Sequence, residues 1–193
     1  MLNKILYIIM VKVVVNVLVG KALYSFIKVS TLKILTLGKL SFKGLCLVSG
    51  SADIRAHGNK ARILFGNKVD IRENCLINAS NGTIIIEEGV FINRNGIIVS
   101  MDSIHIGEHT AIGPNVVIYD HDHDYKNVKK EKYKCAPIKI GKNVWIGANC
   151  TILKGVTIGD CSVIAAGSVV TSDVPPSSIL YQKRDSVMKS IVQ

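Results

Sequence analysis

The sequence has few aromatic residues, and this scarcity limits how its core can be built. Only 6% of the 193 residues are aromatic, although 48% are hydrophobic. The core must therefore consist of Ile, Val and Leu, which favours β-branched strands packed in layers. A chain of this length suffices for one main domain with a sizeable core and a terminal appendage.

Paired cysteine motifs are also absent. The five cysteines are odd in number and include no C-x-x-C pair, so neither a disulfide framework nor a zinc site is expected. Cys75 and Cys150 both occupy the fifth place of a six-residue unit, where a small apolar side chain fits. We expect reduced, structural thiols in a cytoplasmic protein.

Acidic residues are missing from the chain before Asp53, a segment that contains seven lysines. The formal net charge of the whole chain is +10. This balance fits a polyanionic partner, namely nucleic acid, an anionic membrane surface or the phosphates of a cofactor. Nucleic acid is disfavoured, because no basic stripe alternates with stacking aromatics and no helix-turn-helix or zinc-finger spacing occurs.

The amino-terminal residues 1–19 are apolar apart from two lysines and two asparagines. A spanning helix needs about 20 apolar residues, and a central lysine costs about 2.5 to 3.5 kcal/mol on insertion scales. No small-residue cleavage site of a secretory signal is present. We interpret residues 1–40 as a helix or strand that either lies peripherally on the inner face of the membrane or packs on a neighbouring subunit. A spanning helix and a plain core element are the alternatives.

An aliphatic or aromatic core residue recurs at every sixth position, which is neither a helical period nor a simple alternating strand. The step predicts a short strand plus a turn, repeated around a triangular coil, with the sixth residue pointing into the core. Three units of six make one coil of 18. The triplets are Phe65, Ile71 and Ile77; Ile86, Ile92 and Ile98; Ile106, Ile112 and Ile118; Ile140, Ile146 and Ile152; and Ile158, Ile164 and Val170.

The spacing between triplets locates the insertions. The steps are 9, 8, 22 and 6 residues, so every excess over six falls at the same corner of the coil. The 22-residue step predicts a long loop at 119–137 that leaves one vertex, and loops of that size are usually functional. We expect a β-helix domain over residues 41–175 and a tail over 176–193.

Two runs carry a family resemblance, GKNVWIGA from Gly141 to Ala148 and GVTIGD from Gly155 to Asp160. They resemble the left-handed β-helix acyltransferases, most closely the branch with galactoside, maltose and polysaccharide O-acetyltransferases. The resemblance covers about residues 65 to 175. It implies an all-β fold, a left-handed parallel β-helix of hexapeptide repeats, with acetyl-CoA as donor and a homotrimer whose active sites lie between subunits.

The long loop opens with the run YDHDHDY from Tyr119 to Tyr125. Acyl transfer to a hydroxyl needs a base with a pKa near 7, which histidine provides. Similar acetyltransferases carry one catalytic histidine here; counting forward from Pro114 gives His123, our preferred base, and counting back from Trp145 gives His121. A solvated polar loop and a metal site are alternatives, but no distant third and fourth ligand is evident, so no metal is expected.

The resemblance implies roles for further residues. Asn93 would hold the acceptor sugar, with a simple turn asparagine as the alternative, and Tyr119 and Asp102 belong to the same acceptor side. An acid must orient the histidine, and Asp102, Asp120 and Asp122 are equal candidates.

Coenzyme A is expected on the coil wall after the loop. The resemblance places Trp145 and Ala148 near the pantetheine arm and Ala166 and Thr171 further along, although tight corner packing explains the small residues equally well. Phosphate contacts are expected from Lys183 and Arg184.

The resulting prediction is an acetyl-CoA-dependent O-acetyltransferase that acts on a sugar hydroxyl in the biosynthesis of a capsule, O-antigen or exopolysaccharide. One alternative is an N-acetyltransferase of an aminosugar nucleotide. The other is a non-catalytic β-helix scaffold.

Overall fold

The structure, a computed structural model, describes residues 2–124 and 133–183, with the backbone alone for residues 2–18. One helix, α1 (Leu2–Leu35), precedes a series of short strands. In chain order the strands are β1 (Leu40–Phe42), β2 (Leu47–Val48), β3 (Asp53–His57), β4 (Arg62–Phe65), β5 (Asp70–Ile71), β6 (Leu76–Ser80), β7 (Thr83–Ile86), β8 (Phe91–Ile92), β9 (Ile97–Ser100), β10 (Ser103–Ile106), β11 (Ala111–Ile112), β12 (Val117–Tyr119), β13 (His121–His123), β14 (Tyr133–Cys135), β15 (Ile138–Ile140), β16 (Trp145–Ile146), β17 (Thr151–Ile152), β18 (Thr157–Ile158), β19 (Val163–Ile164), β20 (Val169–Val170) and β21 (Ile179–Leu180).

Three parallel sheets form the walls of a β-helix. Sheet A has the order β1-β4-β7-β10-β15-β18, sheet B the order β2-β5-β8-β11-β16-β19-β21, and sheet C the order β3-β6-β9-β12-β17-β20. Neighbouring strands lie one coil apart, and equivalent residues are in register: Ile106 pairs with Ile86 on one side and with Ile140 on the other. The expected parallel β-helix, with an apolar amino-terminal element and a long loop, is confirmed.

The sixth residues fill the interior, as the period predicts. Ile92, Ile112 and Ile146 stack beneath sheet B with at most 1% of each residue exposed. Burying such a side chain stabilises the fold by about 1.5 to 3 kcal/mol relative to leaving it in water. Cys75 and Cys150 are buried free thiols in the same core, and burial raises the pKa of the Cys75 thiol.

The stack begins one coil earlier than the clear repeats in the sequence. Phe42, Val48 and Ile54 are buried six residues apart, and they pair with the 65/71/77 triplet of the next coil. The step of 11 residues from Ile54 to Phe65 separates this coil from the clear six-residue period that begins at Phe65. Like the later insertions, it lies between a strand of sheet C and the following strand of sheet A.

The carboxyl-terminal half of α1 packs on this first coil. Ser25 Oγ donates to the carbonyl of Cys46 at 2.7 Å and accepts from the amide of Val48 at 2.8 Å. Val29 is buried in the core, and Lys28 Nζ donates to backbone carbonyls of the coil, including that of Ser49 at 2.7 Å. Within the part of the chain that the structure describes, no helix combines the length and apolar character needed to span a membrane.

Candidate active site

The long insertion leaves the stack at the corner between sheets C and A, directly after β12. The chain turns out into β13 and returns through β14, and the two strands pair antiparallel with His121 opposite Cys135 and His123 opposite Tyr133. The amide of Ala136 donates to the carbonyl of Asp120 at 2.9 Å and ties the returning chain to the stack. The predicted loop therefore starts and ends as a β-hairpin anchored on the corner.

Asp120 is a fully buried acid at the root of this hairpin, with 0% of the residue exposed. Its Oδ2 accepts from Ser100 Oγ at 2.7 Å and from the amide of Asp102 at 2.9 Å. Its Oδ1 accepts from the amide of Met101 at 2.8 Å. A buried carboxylate is costly without such donors, so these three bonds offset its desolvation and fix its position.

His121 receives its orientation from this acid. Its Nδ1 lies 3.0 Å from Oδ1 of Asp120, and 11% of its side chain is exposed. A carboxylate oxygen can only accept, so an ionised Asp120 makes Nδ1 the donor and leaves Nε2 free to take a proton. The rings of Tyr119 and Tyr133 stand edge-on to the imidazole, each with a centroid distance of 5.5 Å. A histidine held in this way can act as a general base.

His123 has different surroundings. It is exposed, and within residues 2–124 and 133–183 its partner is the Tyr133 ring, at a centroid distance of 4.7 Å. The acids beside it are engaged elsewhere: Asp122 pairs with Lys154, and Asp124 lies 3.2 Å from Lys134 Nζ. Over the same described residues, no group of three or more His, Cys, Asp or Glu is placed to hold a metal ion.

Among the residues that the structure describes, Asp120 is thus the one of the three acids considered from the sequence whose carboxylate contacts a histidine. Asp102 is exposed and contributes its backbone amide to Asp120 rather than a carboxylate to an imidazole. The forward count from Pro114 favours His123, but the buried acid is beside His121.

Four of the other residues expected at the site lie at two corners of the coil. Thr171 follows β20 at the corner between sheets C and A, where the hairpin also leaves. Ala148 and Ala166 occupy the corner between sheets B and C in successive coils, next to each other in the stack. Asn93 lies at that second corner two coils earlier, and its Oδ1 accepts from the amide of Arg94 at 2.8 Å. Within one chain, Asn93, Ala148 and Ala166 therefore do not lie at the hairpin corner.

Trp145 projects from the outer face of sheet B and is 60% exposed. Lys183, beyond β21, is exposed as well. Arg184, the other residue expected to contact phosphates, lies outside the described residues, as do residues 125–132 of the loop.

Three residues of this corner were not identified from the sequence. Ser100 donates to Asp120, Lys154 pairs with Asp122, and Tyr133 lies against both histidines. A signal for two of them was present. Ser100, Asp120 and Lys154 each stand two residues after the third core residue of their coil, so the stacking register places them in one column. Tyr133 had no such signal, because the hairpin pairing is outside the repeat.

Comparison with known proteins agrees with this architecture. The sequence profile described as "Hexapeptide repeat of succinyl-transferase" matches residues 137–172. The chain is 42% identical over 98 residues to galactoside O-acetyltransferase of Escherichia coli K12, covering 50% of this chain and 48% of that protein. The chain spans about half the length of the curated relatives it matches.

Two solved structures are similar in sequence. A hexapeptide-repeat acetyltransferase from Vibrio cholerae, complexed with acetyl coenzyme A, is 31% identical with a TM-score of 0.51, over 73% of this chain and 64% of that chain. A maltose O-acetyltransferase from Clostridium difficile 630 is 30% identical over 84% of this chain and 82% of that chain, with a TM-score of 0.48.

The stacked coils and the matched repeat define the class, a hexapeptide-repeat β-helix. Together with the sequence relatives, this class makes the chain similar to the hexapeptide-repeat acyltransferases.

Proposed function

We propose that this protein is an acetyl-CoA-dependent O-acetyltransferase that acts on a sugar hydroxyl, with His121 as general base and Asp120 as the acid that orients it. The observation that carries the proposal is the pair between buried Asp120 and partly buried His121 at the root of the hairpin. The similarity to a galactoside O-acetyltransferase supports the acceptor class, and the similarity to an acetyltransferase complexed with acetyl coenzyme A supports the donor.

In the proposed reaction, Nε2 of His121 removes the proton of the acceptor hydroxyl while its oxygen attacks the thioester carbonyl carbon. The tetrahedral oxyanion is stabilised by N–H donors, as in other acyl transfers. When the C–S bond breaks, the imidazolium returns its proton to the leaving thiolate. The products are an acetyl ester and coenzyme A with a free thiol. Asp120 stabilises the imidazolium between the two proton transfers.

Acetyl-CoA fits the outer wall of the coils that follow the hairpin. Ala166 is exposed and Ala148 is half-buried, so a ligand can approach the backbone at this corner. Trp145 offers an exposed apolar surface beside it for the pantetheine arm, and the exposed Lys183 offers positive charge for the phosphates. Thr171 would lie nearer the reacting end, because it shares the corner of the hairpin.

A homotrimer would complete the site. His121 belongs to one corner of the coil, whereas Asn93, Ala148 and Ala166 belong to another. When copies are related by cyclic symmetry, the hairpin corner of one subunit can face the second corner of its neighbour and enclose the thioester. Light scattering should report three chains per particle, and an active monomer would contradict this assembly.

The acceptor class is tested by thiol release from acetyl-CoA with the purified full chain. Hydroxyl-only sugars should accelerate the release well above the rate of hydrolysis, and a lipid-linked polysaccharide precursor tests the proposed role in cytoplasmic steps of surface polysaccharide synthesis. An absolute requirement for an amine acceptor would replace the proposal with N-acetylation. If calorimetry detects no binding of acetyl-CoA, the protein is a non-catalytic β-helix.

A further inference from the structure

Helix α1 has a second apolar face that the β-helix does not cover. Its inner face packs on the first coil through Ser25 and Val29, with Leu32 partly buried against the core. The opposite face carries large apolar side chains at the i, i+4, i+7, i+8 and i+15 positions of one helix side. They are Val19, Leu23, Phe26, Ile27 and Ile34, and each is between 56% and 75% exposed.

Further large apolar side chains are exposed after the helix. Leu37 is 90% exposed in the turn after α1, and Leu45 is 76% exposed in the first coil. Single exposed apolar residues are ordinary, but a row of this length marks a surface that meets a partner or a lipid. We refer to the exposed apolar side chains from Val19 to Leu37, on this side of α1 and in the turn after it, as the outer face.

The charge around the outer face has one sign. Lys33 lies on α1, and Lys39 and Lys43 follow it, while no acid occurs before Asp53. Lys21 faces the coil instead, in a cleft that also contains Asp70 and Glu73. Lys28 is different: its Nζ donates to the carbonyls of Ser49 and Gly50, and burial lowers its pKa. It therefore belongs to the packing of the helix and not to the basic surface.

This charge pattern distinguishes between occupants. A second copy that used the same face would bring lysines against lysines, which is unfavourable. An anionic lipid surface offers an apolar interior for the outer face and negative headgroups for the lysines.

We propose that the outer face of α1 docks on an anionic lipid surface. Leu23, Ile27 and Ile34 would enter the boundary between headgroups and acyl chains, while Lys33 would contact the headgroups. The docking is independent of the proposed acetyl transfer, because none of these residues belongs to the hairpin corner or the coil wall.

The experiment is co-sedimentation of the full chain with vesicles of phosphatidylcholine mixed with phosphatidylglycerol, and with vesicles of phosphatidylcholine alone. Binding to the mixed vesicles should fall steeply as salt rises, since the reach of the lysine charge shortens to about 8 Å at physiological ionic strength. Ile27→Ser combined with Ile34→Ser should weaken partitioning about tenfold or more. Lys33→Gln should weaken it about fivefold.

Matched controls come from the same chain. Ile179→Ser removes a side chain that is 68% exposed in β21, at the end of sheet B farthest from the first coil. Lys60→Gln removes an exposed lysine in the turn between β3 and β4. Both should bind the mixed vesicles as the unaltered protein does. Circular dichroism should show that the Ile27→Ser, Ile34→Ser variant is folded, and its thiol release with a soluble acceptor should be unchanged.

Three results would overturn the proposal. One is no binding of the unaltered protein to mixed vesicles, and another is equal, salt-insensitive binding to mixed and neutral vesicles. The third is a folded Ile27→Ser, Ile34→Ser variant that binds vesicles normally but has a lower molar mass by light scattering. That outcome would assign the outer face to a contact between copies of the chain.

Discussion

Ile112 and Asp120 lie eight residues apart in the same coil, Ile112 in a wall and Asp120 at the corner after the next wall, and both are buried to within 1%. Ile112 is buried by repetition, since Ile92 and Ile146 occupy its position in the adjacent coils. The burial of Asp120 depends on hydrogen-bond donors that occur once, namely Ser100 and two backbone amides. Apolar burial is favourable by itself, whereas a buried carboxylate requires specific partners. The candidate chemistry is therefore found where the repeat is interrupted.

The largest expected effect is a difference in turnover between variants of the two histidines at the hairpin corner. His121→Ala should lower turnover about 10²- to 10⁴-fold, because a general base contributes that much. Binding of acetyl-CoA, measured by calorimetry, should be nearly unchanged.

His123→Ala is the matched control, and it should lower thiol release less than about tenfold, below the range expected for a base. If His123→Ala lowers turnover more than His121→Ala does, His123 is the base and Asp120 has no part in the chemistry. If neither variant affects turnover, the enzymatic proposal loses its central support.

The next effect concerns the repetitive wall. Ile112→Ala should lower the free energy of unfolding by about 2 to 5 kcal/mol, because it leaves a cavity in a stacked column. The exposed Ile179→Ala should change it by less than about 0.5 kcal/mol. Denaturant titration of both variants measures the difference, and similar losses would show that burial by stacking is not what stabilises the coils.

Asp120→Asn should affect both stability and turnover. The NH2 group that replaces one carboxylate oxygen cannot accept from the donors that face it, which should lower the free energy of unfolding by about 1 to 3 kcal/mol. It should also lower turnover, because an amide no longer stabilises the imidazolium of His121.

Asp122→Asn, at an exposed position of the same hairpin, serves as the control. It should leave the midpoint of denaturation nearly unchanged. A fully active Asp120→Asn variant would reduce Asp120 to a structural acid.

The smallest effect should come from the ion pair between Lys154 and Asp122, whose side chains are 29% and 49% exposed. Pairs with this exposure contribute about 0 to 1 kcal/mol. A double-mutant cycle with Lys154→Met and Asp122→Asn should give a coupling energy in that range. A clearly larger coupling would mean that the hairpin is held to the stack by charge as well as by its backbone.

Some parts of the structure could be predicted because the local sequence pattern determines them. The six-residue step from Ile140 to Val170 fixes strand, turn and inward side chain in each unit, and the spacing alone located the corner of the long insertion. The triplet Phe42, Val48 and Ile54 was not among the predicted repeats, although the predicted domain begins at residue 41, because the 11-residue step after Ile54 breaks the six-residue period. The helical nature of residues 2–35 was also undecided, since a stretch that is apolar on all sides has no periodicity to read.

The sequence by itself determined the solenoid, the position of its loop and the pair of histidines at the loop's start. Only the tertiary structure showed that Asp120 is the buried acid and that it contacts His121, whereas His123 is exposed. The physical reason is that stacking places residues about one coil apart in sequence, such as Ser100 and Asp120, at hydrogen-bond distance. Which side chain then becomes buried, and which donors surround it, depends on those contacts between coils and not on the local pattern.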